Sequence, residues 1–197
     1  MKEFDNLKEI WNQQKESSVP DVSQIISKAK KEKQTMGNKM ILQIGILLST
    51  IVALIWVTSS IDFKMITTFI GIGLMLFTIF AFSLIRLYQL YKLKKIDLTQ
   101  SPKKVLIQLE QFYTFLKLVS TKGALTYFIL LNLAFVFYFI EVMAPMSTLM
   151  KVIVLTLYTA WMLFAYFILG KKQKQKEYDK IEAIINSIKK VENEYEQ

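Results

Sequence analysis

Residues 123–140 read GALTYFILLNLAFVFYFI, and no charged side chain interrupts these eighteen residues before Glu141. A helix of this length rises about 27 Å, which matches the hydrocarbon core of a bilayer. A helix of a soluble protein is apolar along one stripe, whereas this stretch is apolar on every side. The stretch therefore predicts a transmembrane helix.

Three further stretches have the same length and character, and charged residues bound each of them. The four predicted spans are 40–61, 64–86, 123–143 and 151–170. The segments predicted to lie outside the membrane are 1–39, 87–122 and 171–197. The fold class predicted from this pattern is an all-α polytopic membrane protein with four transmembrane helices in two hairpins and amphipathic helices on one side.

The charge distribution predicts the orientation. The net charge is +9, and of the basic residues only Lys64 and Lys151 lie in the short connections within the two hairpins. Because basic residues accumulate on the cytoplasmic side, both termini and the 87–122 loop are expected in the cytoplasm. Orientation and attraction to anionic lipid headgroups account for the basic excess, so no nucleic-acid partner is expected.

The composition also limits the chemistry that the chain can perform. The sequence contains no Cys and no His, which removes thiol nucleophiles, the commonest metal ligand and the usual general base. The predicted spans hold no pair of carboxylates, and no glycine-rich phosphate loop occurs. We therefore expect a protein that is not an enzyme and that has no cofactor and no metal site.

The segment 4–14 has the spacing of a short amphipathic helix. The large apolar side chains on its apolar face are those of Phe4, Leu7, Ile10 and Trp11. A helix this short is unstable alone in water, so it needs a membrane face, the rest of the protein or a partner to lie on. We expect these four residues to be the partner-binding surface.

Two other predicted helices outside the membrane are amphipathic. Ser101 and Pro102 form a helix-start signature, and the helix that follows carries an apolar stripe that lies either along the inner leaflet or against the other cytoplasmic helices. The stripe consists of Val105, Leu109, Phe112, Leu116 and Val119. The tail helix carries a similar seam, consisting of Ile181, Ile184, Ile185, Ile188, Val191 and Tyr195.

Small residues within the spans predict close helix packing. In the first span they recur at every fourth position and in the second they are two glycines. The residues are Gly45, Ser49, Ala53, Gly71 and Gly73. Asp62, in the turn between the two spans, is expected to cap the second one.

Asn132 and Glu141 are polar residues within the third hydrophobic stretch. Asn132 lies near the midplane, where an amide usually joins helices by a hydrogen bond. Glu141 lies near the outer end and can reach headgroups or water, although an ionisable group in a span is also a candidate proton or cation site. If an oligomer brought several copies together, these two residues would suit a small transporter or channel component.

The opening motif LKEIWNQQ at residues 7–14, then Pro20 and a Lys-rich helix before the first span, resembles small multi-span membrane proteins of Bacteroidota-type bacteria. The genes of that group often lie beside those of extracytoplasmic-function sigma factors. The resemblance implies an anti-sigma-like regulatory protein of the bacterial inner membrane, whose cytoplasmic N-terminus engages a sigma-factor-like partner. The function expected is thus a membrane-anchored interaction or regulatory module, with the bilayer, a cytoplasmic protein and a second copy of the chain as candidate partners.

Overall fold

The computed structural model describes residues 22–195, and within that range every regular element is helical. The α-helices are α1 (Val22–Ser60), α2 (Ile66–Lys95), α3 (Pro102–Leu118), α4 (Ala124–Val142), α5 (Thr148–Phe164) and α6 (Lys171–Tyr195). Two π-helical turns, Val119–Gly123 and Ala165–Gly170, join α3 to α4 and α5 to α6. The predicted all-α fold class is confirmed.

Four continuous helical rods make up the described part of the chain. The rods that are long and apolar enough to cross a membrane are Ser23–Ser60, Ile66–Lys95, Pro102–Val142 and Thr148–Asn193. They identify an integral membrane protein. Each rod is longer than the bilayer requires, because a charged and amphipathic section continues the same helix outside the membrane.

In the membrane half, α2 is the central helix and packs against both α1 and α4. Helix α5 is the outermost span and none of its residues is buried. It contacts α4 through large aromatic side chains, with the Tyr158 ring centroid 5.1 Å from those of both Phe135 and Phe139. These rings hold the two helices apart, whereas small residues let α2 and α4 approach closely.

Outside the membrane, four helical sections pack around one hydrophobic core, which we call the extramembrane bundle. The sections are 22–39 of α1, 87–95 of α2, α3 and α6. The core includes Leu93, Leu109, Phe112, Leu116, Ile181 and Ile184. The apolar stripe of α3 is thus packed against the other helices of the bundle, which is one of the two arrangements that its pattern allowed.

Candidate functional site at the membrane boundary

A buried ion pair lies at the predicted end of the second span. The Arg86 Nη1 atom of α2 is 3.3 Å from the Glu177 Oε2 atom of α6, and the two side chains are only 11% and 9% exposed. Removing such charges from water is costly, and the cost is offset only when each charge has a partner. The pair therefore joins α2 to α6, although the two residues are far apart in the sequence.

Three glutamines complete what we call the polar node, together with Arg86 and Glu177. The Arg86 guanidinium donates a hydrogen bond of 2.9 Å to the Gln89 Oε1 atom. The Nε2 atoms of Gln43 and Gln173 each donate to Glu177 Oε1 at 3.3 Å. Since Gln43 belongs to α1, the node connects three helices at one level.

The hydrogen bonding of the polar node is incomplete among the described residues. Within residues 22–195, the Nε2 group of the fully buried Gln89 has no acceptor and the Gln43 Oε1 atom has no donor. Most buried polar groups in native proteins are hydrogen-bonded, so two such atoms around one ion pair distinguish this region from the apolar core. The node has the groups needed to form hydrogen bonds in a second arrangement.

Both π-helical turns lie at the same boundary as the polar node. Val119–Gly123 connects the bundle to the third span, and Ala165–Gly170 connects the fourth span to α6. A π-helical turn widens the helix by one residue and often occurs where a helix has a functional role. Two of the four rods thus change geometry where they leave the membrane.

Side chains from other helices bind both ends of α2. At its beginning, the Glu141 carboxylate accepts hydrogen bonds from the backbone N–H groups of Lys64 and Met65 at 2.6 and 3.1 Å, and from the Thr68 hydroxyl. At its end, the Lys33 ammonium donates to the backbone carbonyls of Lys94 and Ile96. A carboxylate at the start and an ammonium at the end both suit the helix dipole.

This arrangement corrects the expectation for Asp62. Asp62 does not cap α2, because its N-cap is Met65 and the carboxylate comes instead from Glu141 on another span. Lys33 is partly buried, and desolvation lowers the pKa of its ammonium while the neighbouring Asp97 carboxylate opposes that shift. A cap from a distant residue has no local sequence signal.

Asn132 joins two spans by hydrogen bonds. Its Nδ2 group donates to the Phe128 carbonyl at 2.7 Å, and its Oδ1 atom accepts from the Tyr158 hydroxyl at 2.9 Å. This is the interhelical contact expected of an intramembrane amide. Asn132 and Glu141 are not brought together into one site, because each is bonded to a different helix.

The small residues in the spans have different surroundings. A Cβ atom at Gly71 would lie 2.8 Å from the Ala134 carbonyl oxygen and 2.9 Å from the Tyr138 nitrogen, so α2 and α4 cross where Gly71 leaves room. By contrast, nothing lies within 4 Å of such an atom at Gly45 or Gly73. Ser49 and Ala53 are exposed as well. The seam expected in the first span is therefore exposed within the described chain and does not form a close helix crossing there.

The predicted partner-binding residues Phe4, Leu7, Ile10 and Trp11 lie outside the described residues. The polar node has no local sequence pattern that predicts it, although Arg86 is the charged residue at the end of a predicted span. Glu177 could not be recognised as its partner, because it resembles the other charges of the tail helix. Within residues 22–195, no group of three or more His, Cys, Asp or Glu side chains could hold a metal ion.

No family model, curated protein or solved structure matches the chain. The fold and the geometry of its contacts therefore carry the functional argument.

Proposed function

We propose that this is a non-enzymatic protein of the bacterial inner membrane that regulates a soluble partner, with both termini in the cytoplasm. The observation that supports the proposal is the unbroken helical connection between all four spans and one extramembrane bundle. Shifts and rotations of helices are common switching movements, and a continuous helix carries them from one end to the other. A change in the packing of the spans would thus reach the bundle directly.

The polar node supports a role in transmitting such a change. Arg86 and Glu177 join the exit of the second span to the tail helix, and Gln43 adds the exit of the first. Coupling between distant regions requires a connecting element that can adopt two discrete arrangements. The unpaired donor of Gln89 and acceptor of Gln43 are available for a second arrangement.

The packing of the bundle restricts where a partner can dock. The apolar face of α3 and the seam of α6 cover each other, with Leu109, Leu116 and Ile181 almost fully buried. These faces are therefore not available to a soluble protein. The predicted N-terminal helix supplies the proposed docking surface, through Phe4, Leu7, Ile10 and Trp11, and the resemblance stated above makes a sigma-factor-like protein the proposed partner.

Transport is the alternative function. The contacts of the two candidate transport residues, Asn132 and Glu141, favour it less than the regulatory function. The Glu141 carboxylate accepts three hydrogen bonds at the start of α2, and Asn132 is bonded to both Phe128 and Tyr158. A transport site needs polar groups that are free to bind and release the transported species. Both residues instead have a structural role in joining spans.

Photo-cross-linking in the native host tests the docking surface. A photoreactive amino acid replaces Trp11 in one version of the full chain, and Asn12, on the polar side of the predicted helix, in the control version. We expect one soluble protein to cross-link to position 11 in stoichiometric amount and to position 12 only weakly. Adding Leu7→Ala should abolish the cross-link from position 11. Equal cross-linking from both positions, or none, would contradict the docking surface.

Cysteine labelling tests the orientation, because the chain has no natural cysteine. Asp62→Cys places a thiol in a short connection and Lys190→Cys places one in the bundle; both positions are exposed. An impermeant maleimide added to intact spheroplasts should label the first variant, and the second only after lysis. The reverse pattern would overturn the proposed orientation.

Reconstituted vesicles test the alternative. We expect no flux of protons, Na⁺ or K⁺ above that of empty vesicles, for the intact protein and for Asn132→Leu alike. Flux that the intact protein supports and Asn132→Leu abolishes would establish transport and remove the support for a purely regulatory role.

A further inference from the structure

A cavity of about 340 Å³ lies on the extramembrane bundle, and none of its lining residues belongs to the polar node. It is formed by the end of α2, the connection to α3 and one face of α3. Part of its lining is apolar, because Ile96 and Phe112 belong to the buried core. Its other lining residues are Lys92, Lys95, Gln100, Gln108 and Gln111.

The charges that line the cavity all have the same sign. It has two ammonium groups and no carboxylate among its described lining residues. The nearest acidic residue in sequence, Asp97, is not part of the lining, and its carboxylate accepts hydrogen bonds from the backbone and hydroxyl of Thr99. Other lysines of the bundle are bound to acceptors within the chain, such as Lys180 to Glu32 at 2.7 Å. Neither Lys92 nor Lys95 forms an ion pair within residues 22–195.

Aromatic rings hold one of the two ammonium groups in place. The Lys92 Nζ atom is 4.3 Å from the centroid of the Phe115 ring and 5.1 Å from that of Tyr88. Such contacts attract a cation without neutralising its charge. Lys92 is therefore positioned in advance for an anion, and ordering it on binding costs little entropy.

The remaining polar groups suit a ligand with several oxygen atoms. The Gln108 Nε2 atom donates to Gln100 Oε1 at 3.4 Å, which aligns two of the carboxamides along the cavity. Carboxamides both donate and accept, so they recognise hydroxyl groups as well as anionic oxygens, and lysine is a common ligand of phosphate. The cavity lies within the size range of small-molecule sites, which begins at about 300 Å³.

We infer that this cavity binds a phosphate ester that carries hydroxyl groups. Lys92 and Lys95 bind the phosphate, and the three glutamines bind the hydroxylated part. Lys92 lies six residues beyond Arg86, or about 9 Å along the helix. The ligand can therefore come from the headgroup of an anionic lipid or from solution, and the inference does not depend on the proposed regulatory function.

Two binding measurements on the full-length protein separate these sources. In nanodiscs of phosphatidylcholine alone, glycerol 3-phosphate is titrated calorimetrically, with glycerol as the uncharged control. In detergent, native mass spectrometry counts the phosphatidylglycerol molecules retained by the protein. Binding in the first measurement identifies a soluble ester, and retention only in the second identifies a lipid headgroup.

Two matched variants test the site itself. Lys92→Gln with Lys95→Gln removes both ammonium groups of the cavity, whereas Lys103→Gln with Lys104→Gln removes two exposed charges of α3 that do not line it. We expect the first pair to weaken binding by about tenfold or more and the second by less than about twofold, because only direct contacts are charge-assisted hydrogen bonds. Equal losses in both variants, or no binding of either ligand at millimolar concentration, would overturn the inference. Unchanged thermal unfolding verifies that both variants fold.

Discussion

The two halves of the molecule are held together in different ways. The extramembrane bundle buries branched and aromatic side chains around one core, including Leu109 and Ile181. In the membrane half, α5 has no buried residue, and the closest helix crossing depends on the absence of a side chain at Gly71. Polar contacts such as Asn132 with Tyr158 add specific connections between spans.

The difference follows from the solvent around each half. In water, transferring apolar side chains to a core is the main stabilising contribution. In lipid, burying apolar side chains between helices contributes almost no free energy, because the lipid tails are equally apolar. Close contact of small residues and interhelical hydrogen bonds therefore determine the packing. The buried polar node lies between the two environments, and changes at the three levels should have different effects on stability.

The largest effect is expected at the polar node. Glu177→Gln leaves the Arg86 charge buried without its partner, which should lower the free energy of unfolding by about 3–5 kcal/mol. Glu110→Gln is the control, since Glu110 and Lys189 are about half exposed and 3.6 Å apart, and it should cost less than about 1 kcal/mol. Denaturant titration followed by circular dichroism measures both. The double variant Arg86→Met, Glu177→Met should lose less of the free energy of unfolding, because it leaves no unpaired charge. Equal losses for Glu177→Gln and Glu110→Gln would show that Arg86 and Glu177 do not form a buried ion pair.

In the bundle, removing core volume should have the next largest effect. Leu109→Ala leaves a cavity around a side chain that is 1% exposed, and the expected loss is about 2–5 kcal/mol. Ile107→Ala, two positions away at a residue that is 49% exposed, is the control and should cost well under half as much. If the two variants unfolded alike, the described core would not be the source of the bundle's stability.

In the membrane half, adding volume should be more harmful than removing it. Gly71→Val places atoms against the backbone of α4, where a Cβ alone would be 2.8 Å from the Ala134 oxygen, and overpacking of this kind costs about 1–3 kcal/mol. Gly73→Val has open space and should change the resistance to unfolding in detergent only slightly. Equal tolerance of both substitutions would show that the α2–α4 crossing differs from the one described.

The smallest expected effect is a pH dependence within the bundle. The Tyr113 hydroxyl donates to Glu182 Oε1 at 2.7 Å, and this bond raises the pKa of Tyr113 to about 12 from its usual value near 10. A pKa raised by folding stabilises the native state fully below the unfolded value, and the contribution is lost as pH rises from about 10 to about 12. Tyr113→Phe should remove this part of the alkaline decline in stability. An unchanged profile would show that the hydrogen bond does not form in solution.

Local sequence patterns predicted the helices well in segments that lie in a single environment. Ser101 and Pro102 predicted the start of a helix, and α3 begins at Pro102. The seam of the tail helix is buried at Ile181, Ile184 and Ile188.

The candidate site was harder to predict from the sequence, because it depends on contacts between residues that are far apart in the chain. Gly45 and Gly71 have similar sequence surroundings, yet only Gly71 faces another helix closely. Asp62 was the local candidate for a cap, but Glu141 approaches from a different span. Which of several equivalent residues makes a contact depends on how the helices are rotated about their axes.

The sequence by itself determined that the chain is all-helical and that four helices within residues 22–195 are long and apolar enough to cross a membrane, because hydropathy acts residue by residue through the surrounding solvent. Only the tertiary structure decided that Arg86 pairs with Glu177, that Lys33 and Glu141 cap opposite ends of α2, and that Lys92 and Lys95 share a cavity. Those contacts depend on the relative positions of whole helices, and the packing of the assembled chain fixes these positions.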